Sequence, residues 1–148
     1  MSSTPGTVPP LLEQQELLKT IATDMVRTAG YDWDRLELLV LALGRYGEPR
    51  LTASYPDGSA KRFSLPVSTA ASLFRLRKVM AAPEIGTWFT ARVLVDESLA
   101  YTSDFDYEHE PEWEDKPGLA EYPREQQRFP RSEAHQPDWL KAGLAAAG

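Results

Sequence analysis

Pro56-Asp57-Gly58-Ser59 constrains this chain more than any other stretch of it. Proline presets φ for the first corner of a tight turn, Asp bonds its own backbone two residues on, and Gly accepts positive φ. Arg50–Tyr55, just before it, alternates Leu51, Ala53 and Tyr55 with polar residues, and Lys61–Ser64 follows it. Alternation at period two is the pattern of a half-buried strand. Leu36–Leu43 is almost continuously apolar. Its leucines favour a helix on intrinsic propensity, but its proximity to Arg50–Tyr55 across a short polar break with Gly44 and Gly47 favours a strand. The three segments predict an antiparallel meander.

Elements on either side complete the prediction. Pro9 and Pro10 introduce a helix from about Pro10 to Ala29, with Leu11, Leu12, Leu18, Ile21, Ala22, Met25 and Val26 on one stripe and Gly30 as its stop. Pro66 and Ser68 open a second helix, with Ser68 as the expected N-cap. Ala70, Leu73, Phe74, Leu76, Val79 and Met80 form its apolar face, and Arg75, Arg77 and Lys78 make it basic toward its C-terminal end. Pro83 and Gly86 end it. Thr87–Val95 and Leu99–Tyr107 read as a fourth and a fifth strand; in the latter Tyr101, Ser103, Phe105 and Tyr107 alternate with Thr102, Asp104 and Asp106. Leu119–Arg128 reads as a short amphipathic helix stopped by Phe129-Pro130-Arg131. Pro137–Leu140 reads as a final helical turn fading into the alanines near Gly148. The expected architecture is α+β: a single antiparallel sheet of about five strands, with N-terminal, central and C-terminal helices packed on one face. Residues 1–8 lack any hydrophobic pattern and are expected to be a disordered tail, with residues 9–148 forming a single domain.

Charge is unevenly distributed. The net charge is −6, yet residues 1–95 carry a net of +2 and residues 96–148 a net of −8, and Asp96–Asp115 holds nine carboxylates with no Lys or Arg. Such a field repels phosphate backbones and attracts a basic protein. With no cysteine, disulfides and thiolate chemistry are excluded. The first ten residues lack the basic and apolar regions of a signal peptide, and no stretch approaches a membrane span. The expectation is a cytoplasmic protein, monomeric or a small homo-oligomer, with no membrane or nucleic-acid partner.

Catalytic patterns are scarce. The phosphate-cradling, nucleophile-elbow and dinucleotide-binding motifs are absent, so no enzyme and no cofactor are expected. His109 and His135 fall in different loops without metal-ligand spacing, and no metal site is expected. Asp104, Asp106, Glu108 and Glu110 are spaced two apart, so that an extended chain places all four carboxylates on one side. A metal-dependent hydrolase built on Asp104, Asp106, Glu108 and His109 is one alternative. A glycosidase acid pair requires a cleft with aromatic platforms, which a domain this small seldom builds. A non-catalytic adaptor subunit is another alternative. The last feature is a set of rings in acidic, proline-pinned loops: Tyr107, Trp113, Tyr122, Phe129 and Trp139, with Arg124, Arg128 and Arg131 among them. Such residues either complete the core or anchor an interface.

Taken in order, Leu76-Arg77-Lys78-Val79-Met80, Pro83–Phe89, Phe105-Asp106-Tyr107, Pro111-Glu112-Trp113, Tyr122, Phe129-Pro130-Arg131 and Pro137-Asp138-Trp139-Leu140 resemble the YezG-like immunity proteins of bacterial polymorphic toxin systems, especially actinobacterial members. The resemblance spans about Trp33 to Leu140. It implies a cytosolic protein that binds and neutralises a cognate toxin domain. It brings no catalytic residues and does not fix the toxin's chemistry. The partner-binding residues expected on this reading are Asp104, Asp106, Tyr107, Glu108, Glu110, Glu112, Trp113, Tyr122 and Trp139, facing a basic active-site region of the toxin.

Overall fold

The computed structural model describes residues 9–148; the expectation for residues 1–8 lies outside them. Helix α1 (Pro10–Ala29) leads into β1 (Arg35–Leu43), β2 (Tyr46–Ser54) and β3 (Ala60–Phe63). Helix α2 (Val67–Val79) connects to β4 (Thr90–Asp96) and β5 (Tyr101–Asp106), and α3 (Glu121–Arg128) and α4 (Asp138–Ala147) close the chain. The five strands form one antiparallel sheet in the order β3-β2-β1-β4-β5. The fold is α+β. Among the described residues no helix is long and apolar enough to cross a membrane.

The continuous apolar run resolves as the central strand. Leu36, Leu38, Val40 and Ala42 point to one face, where they pack with Leu18, Ile21, Ala22 and Met25 of α1 and Leu73 and Leu76 of α2. Leu43 points to the other face and packs with Phe89, Tyr122 and Leu140. A central strand apolar on both sides needs cover on both sides. The expectation that all helices share one face is therefore corrected: α1 and α2 cover one face, while α3 and α4 cover one end of the other.

The break expected between the first two strands is also shorter than expected. Gly44 and Arg45 alone make the turn, since Leu43 pairs with Tyr46 and Gly44 takes φ 62°. Pro49 lies inside β2, opposite Val40. Its missing N–H is harmless there. The Ala42 N–H donates to the Phe89 carbonyl, so even residues of β1 bond toward β4 and odd ones toward β2. The Pro49 nitrogen thus faces away from β1, and β3 reaches only as far as Leu51.

A bulge sets the start of β4. The N–H of Phe89 donates to the Asp106 carbonyl at 2.8 Å, while Thr90 is the register partner of Asp106. Two residues thus oppose one, and Trp88 and Phe89 are sent to opposite cores. The fifth strand is shorter than Leu99–Tyr107, because Leu99 sits in the preceding turn at φ 69°. Helix α2 starts at Val67, capped by the Pro66 carbonyl and by no side chain, so Ser68 is not its N-cap. Thr69 is buried instead and donates its hydroxyl to Asp24 of α1 at 2.8 Å. The final helical turn is a ten-residue helix, because Leu140 and Leu144, one turn apart, both find apolar cover.

Candidate binding face

Residues between β5 and α3 cross the uncovered part of the outer sheet face as a strap. At its first end the Asp106 carboxylate accepts the backbone N–H groups of Glu108 and His109 at 2.9 Å each and contacts the His109 ring at 2.7 Å. Partial burial pushes this carboxyl up, but the two N–H groups and the imidazole outweigh it and hold it below the ordinary aspartate range. The strap then reaches β2. Arg50 donates to the Glu112 carbonyl at 2.8 Å, and the N–H groups of Glu114 and Asp115 donate to Glu48 at 3.1 and 2.9 Å. The Tyr46 hydroxyl donates to the Asp115 carbonyl at 2.6 Å. Arg62 of β3 grips Glu114 with two bonds of 3.0 and 2.6 Å. Pro111 and Pro117 are both buried, so the strap is pinned along its length.

These bonds sort the acids. Asp106 and Glu114 are engaged internally. Asp104, Glu108, Glu110 and Glu112 are exposed and form no ion pair among the described residues. They do not form the straight row expected of an extended chain. The strand ends at Asp106, and the turn capped by its side chain folds Glu108 and Glu110 out of line. Among the described residues no three His, Asp or Glu side chains converge as a metal site would require.

The rings serve mainly to fasten the strap and α4. Tyr122 is only 3% exposed and so offers no ring to a partner; this corrects its expected role. Trp139 is half-buried, edge-on to Phe89 at 4.6 Å and to Tyr122 at 6.4 Å. Its indole N–H donates to the Glu108 carbonyl at 2.7 Å, which ties α4 to the strap. Trp113 is half-buried against Tyr46, with centroids 5.4 Å apart. Tyr107 is half-buried beside the first core, and burial pushes its hydroxyl up from the ordinary tyrosine value.

Beneath the strap lies an open groove of about 430 Å³. Leu39, Leu41 and Thr90 line it together with Arg92, Asp106, His109, Glu110 and Glu112. Arg92 in this lining is paired with Glu37 at 3.2 Å, and the apolar base with carboxylates at the rim has room for a long cationic side chain, its methylenes on leucine and its charge toward glutamate. A neighbouring cleft of about 390 Å³ brings both histidines together with Tyr107, Glu108 and Arg131. Their separation in sequence gives no sign of that proximity.

Three buried polar residues at the end of the sheet also give no sequence signal. Arg77, Glu125 and Arg131 are all nearly inaccessible. Arg77 of α2 pairs with Glu125 of α3 at 2.7 Å and donates to the Trp88 carbonyl at 2.8 Å. Arg131 donates to the carbonyls of Thr87 and His135 at 2.8 Å each and lies over the Phe89 ring at 4.3 Å. Together they hold the C-terminal layer on the sheet. Compared with known proteins, the chain matches no family model and no curated protein.

Proposed function

We propose that this chain is a non-catalytic binding protein of the immunity type, which docks a basic region of a toxin domain on its strap and so blocks the toxin's active site. The observation that carries the reading is the sorting of the acids. Structural bonds engage Asp106 and Glu114, while Asp104, Glu108, Glu110 and Glu112 stay exposed on a scaffold that is already rigid. A pre-ordered face loses little conformational entropy on docking. Its negative field speeds encounter with a cationic partner by about 10- to 1,000-fold at low salt.

The leucine-based groove gives such a partner a place for one lysine or arginine. Toxin sites that act on phosphate-bearing substrates carry such residues as a matter of chemistry. The test is to clone the genes flanking this one, select any whose product kills a bacterial host, and co-express that product with this chain. Rescue of growth, with an equimolar complex on gel filtration, supports the reading. Continued killing with both proteins soluble and unassociated overturns it.

A further inference from the structure

The two edges of the sheet are not alike. Strand β3 is four residues long and bears Lys61 and Arg62. Short length and cationic side chains are the usual protection of an edge against a further strand. Strand β5 is six residues long and contains no Lys, Arg or Pro. Its outward backbone groups are identified by the ladder. The Asp96 N–H donates to the Ala100 carbonyl and the Phe89 N–H to that of Asp106. Even residues of β5 therefore bond toward β4, and Tyr101, Ser103 and Phe105 direct N–H and C=O away from the sheet. None of these outward groups has a partner among the described residues.

We propose that this edge receives an extended, basic segment of the partner protein as a sixth strand. The proposal deepens the reading above and rests on it. Charge chooses the occupant. The outer-face side chains of β5 are Thr102, Asp104 and Asp106, beside the acidic strap. A docked strand sets alternate side chains next to them, and cations at those positions are attracted. The intervening side chains lie beside Tyr101, Ser103 and Phe105, where Phe105 borders the apolar core. The fitting segment thus alternates basic with apolar or β-branched residues. A second copy of β5 brings carboxylates toward carboxylates, which disfavours self-pairing.

The probe is a short capped peptide alternating lysine and valine, added to the full chain and followed by amide exchange in NMR. With peptide at about ten times its Kd, exchange of the Tyr101, Ser103 and Phe105 amides slows about tenfold. A peptide alternating glutamate and valine leaves them unchanged. Ser103→Pro removes one outward N–H without touching the ladder to β4, and it abolishes the protection. Asp104→Lys keeps every backbone group and weakens the lysine peptide roughly fivefold, the scale of one exposed ion pair. Binding of the lysine peptide that shifts Glu110 and Glu112 but leaves the β5 amides unprotected overturns strand addition and leaves the acidic-face reading standing. No binding at any site overturns both. Concentration-dependent protection without peptide overturns the proposal in favour of a dimer.

Discussion

Arg77 and Glu125 meet at 2.7 Å with their side chains 2% and 1% exposed. The second carboxylate oxygen of Glu125 accepts the Gly44 N–H at 2.8 Å, so a single side chain satisfies both a helix on one face and the turn between β1 and β2. Removing either partner leaves the other charge buried and uncompensated. Glu125→Ala should therefore cost about 3–5 kcal/mol in urea unfolding. An Arg77→Met, Glu125→Leu double variant should regain much of that loss. It will not regain all of it, because the Gly44 N–H and the Trp88 carbonyl stay unpartnered. A double variant no more stable than Glu125→Ala alone would show that the pair is not the source of the cost.

Gly143 of α4 is the contact point between the last two helices. A Cβ built there falls 1.9 Å from Cδ1 of Tyr122 and 2.1 Å from Cε1, so the ring lies directly on the helix backbone. Gly143→Ala gains helix propensity yet drives a methyl into that ring. The expected outcome is a loss of at least ~1–3 kcal/mol, with faster amide exchange over residues 138–147 while β1 and β4 remain protected. Tyr122→Ala in the same background should restore part of the protection, because it removes Cγ, Cδ1 and Cε1, the three atoms that clash.

Local chemistry made most of the fold legible. Proline and glycine marked the element ends near Pro10, Gly30, Pro66 and Pro83, and period-two alternation marked Leu51–Tyr55 and the strand around Phe105. What failed to show did so for physical reasons. Pro49 hid the start of β2, since a strand proline is tolerated only where its nitrogen faces away from a neighbour, and register is a tertiary property. Arg77 and Glu125 resemble solvated charges on amphipathic helices until their partners arrive from distant segments. The acidic strap was visible as composition. Which of its carboxylates are engaged was not, because Glu114 is held by Arg62, which lies on β3.

The strap should respond to acid before the sheet does. Burial pushes the Glu48 carboxyl up, but the Asp115 and Glu114 N–H groups and Arg50 outweigh it and lower it below the ordinary value of 4.5. A carboxyl depressed in the folded state stabilises above its unfolded value, and that contribution is lost as pH falls through the folded one. Glu114, lowered chiefly by its bond to Arg62, acts in the same direction. In NMR of the unaltered chain, the Trp113 indole and the Glu114 and Asp115 amide signals should therefore report undocking as pH drops below about 4.5. Glu48→Gln should weaken docking at neutral pH and flatten that transition. A transition unchanged by Glu48→Gln would assign it to other carboxyls.

The exposed acids should separate binding from stability. Asp104→Asn, Glu108→Gln, Glu110→Gln and Glu112→Gln remove charges that make no ion pair among the described residues. Surface changes of that kind stay within about 0.5 kcal/mol each, and relief of repulsion among the four favours the folded chain. Association with a basic partner depends on the same charges through its long-range field. The quadruple variant should therefore match the parent in urea midpoint while its association rate falls at least tenfold at low salt and its salt dependence flattens. Asp106→Asn is the contrasting variant. Its carboxylate caps the turn that aims Glu108 and Glu110, so it should lower strap stability and leave most of the salt dependence intact. A quadruple variant that associates as fast as the parent would move the docking face away from the strap, whatever its effect on folding.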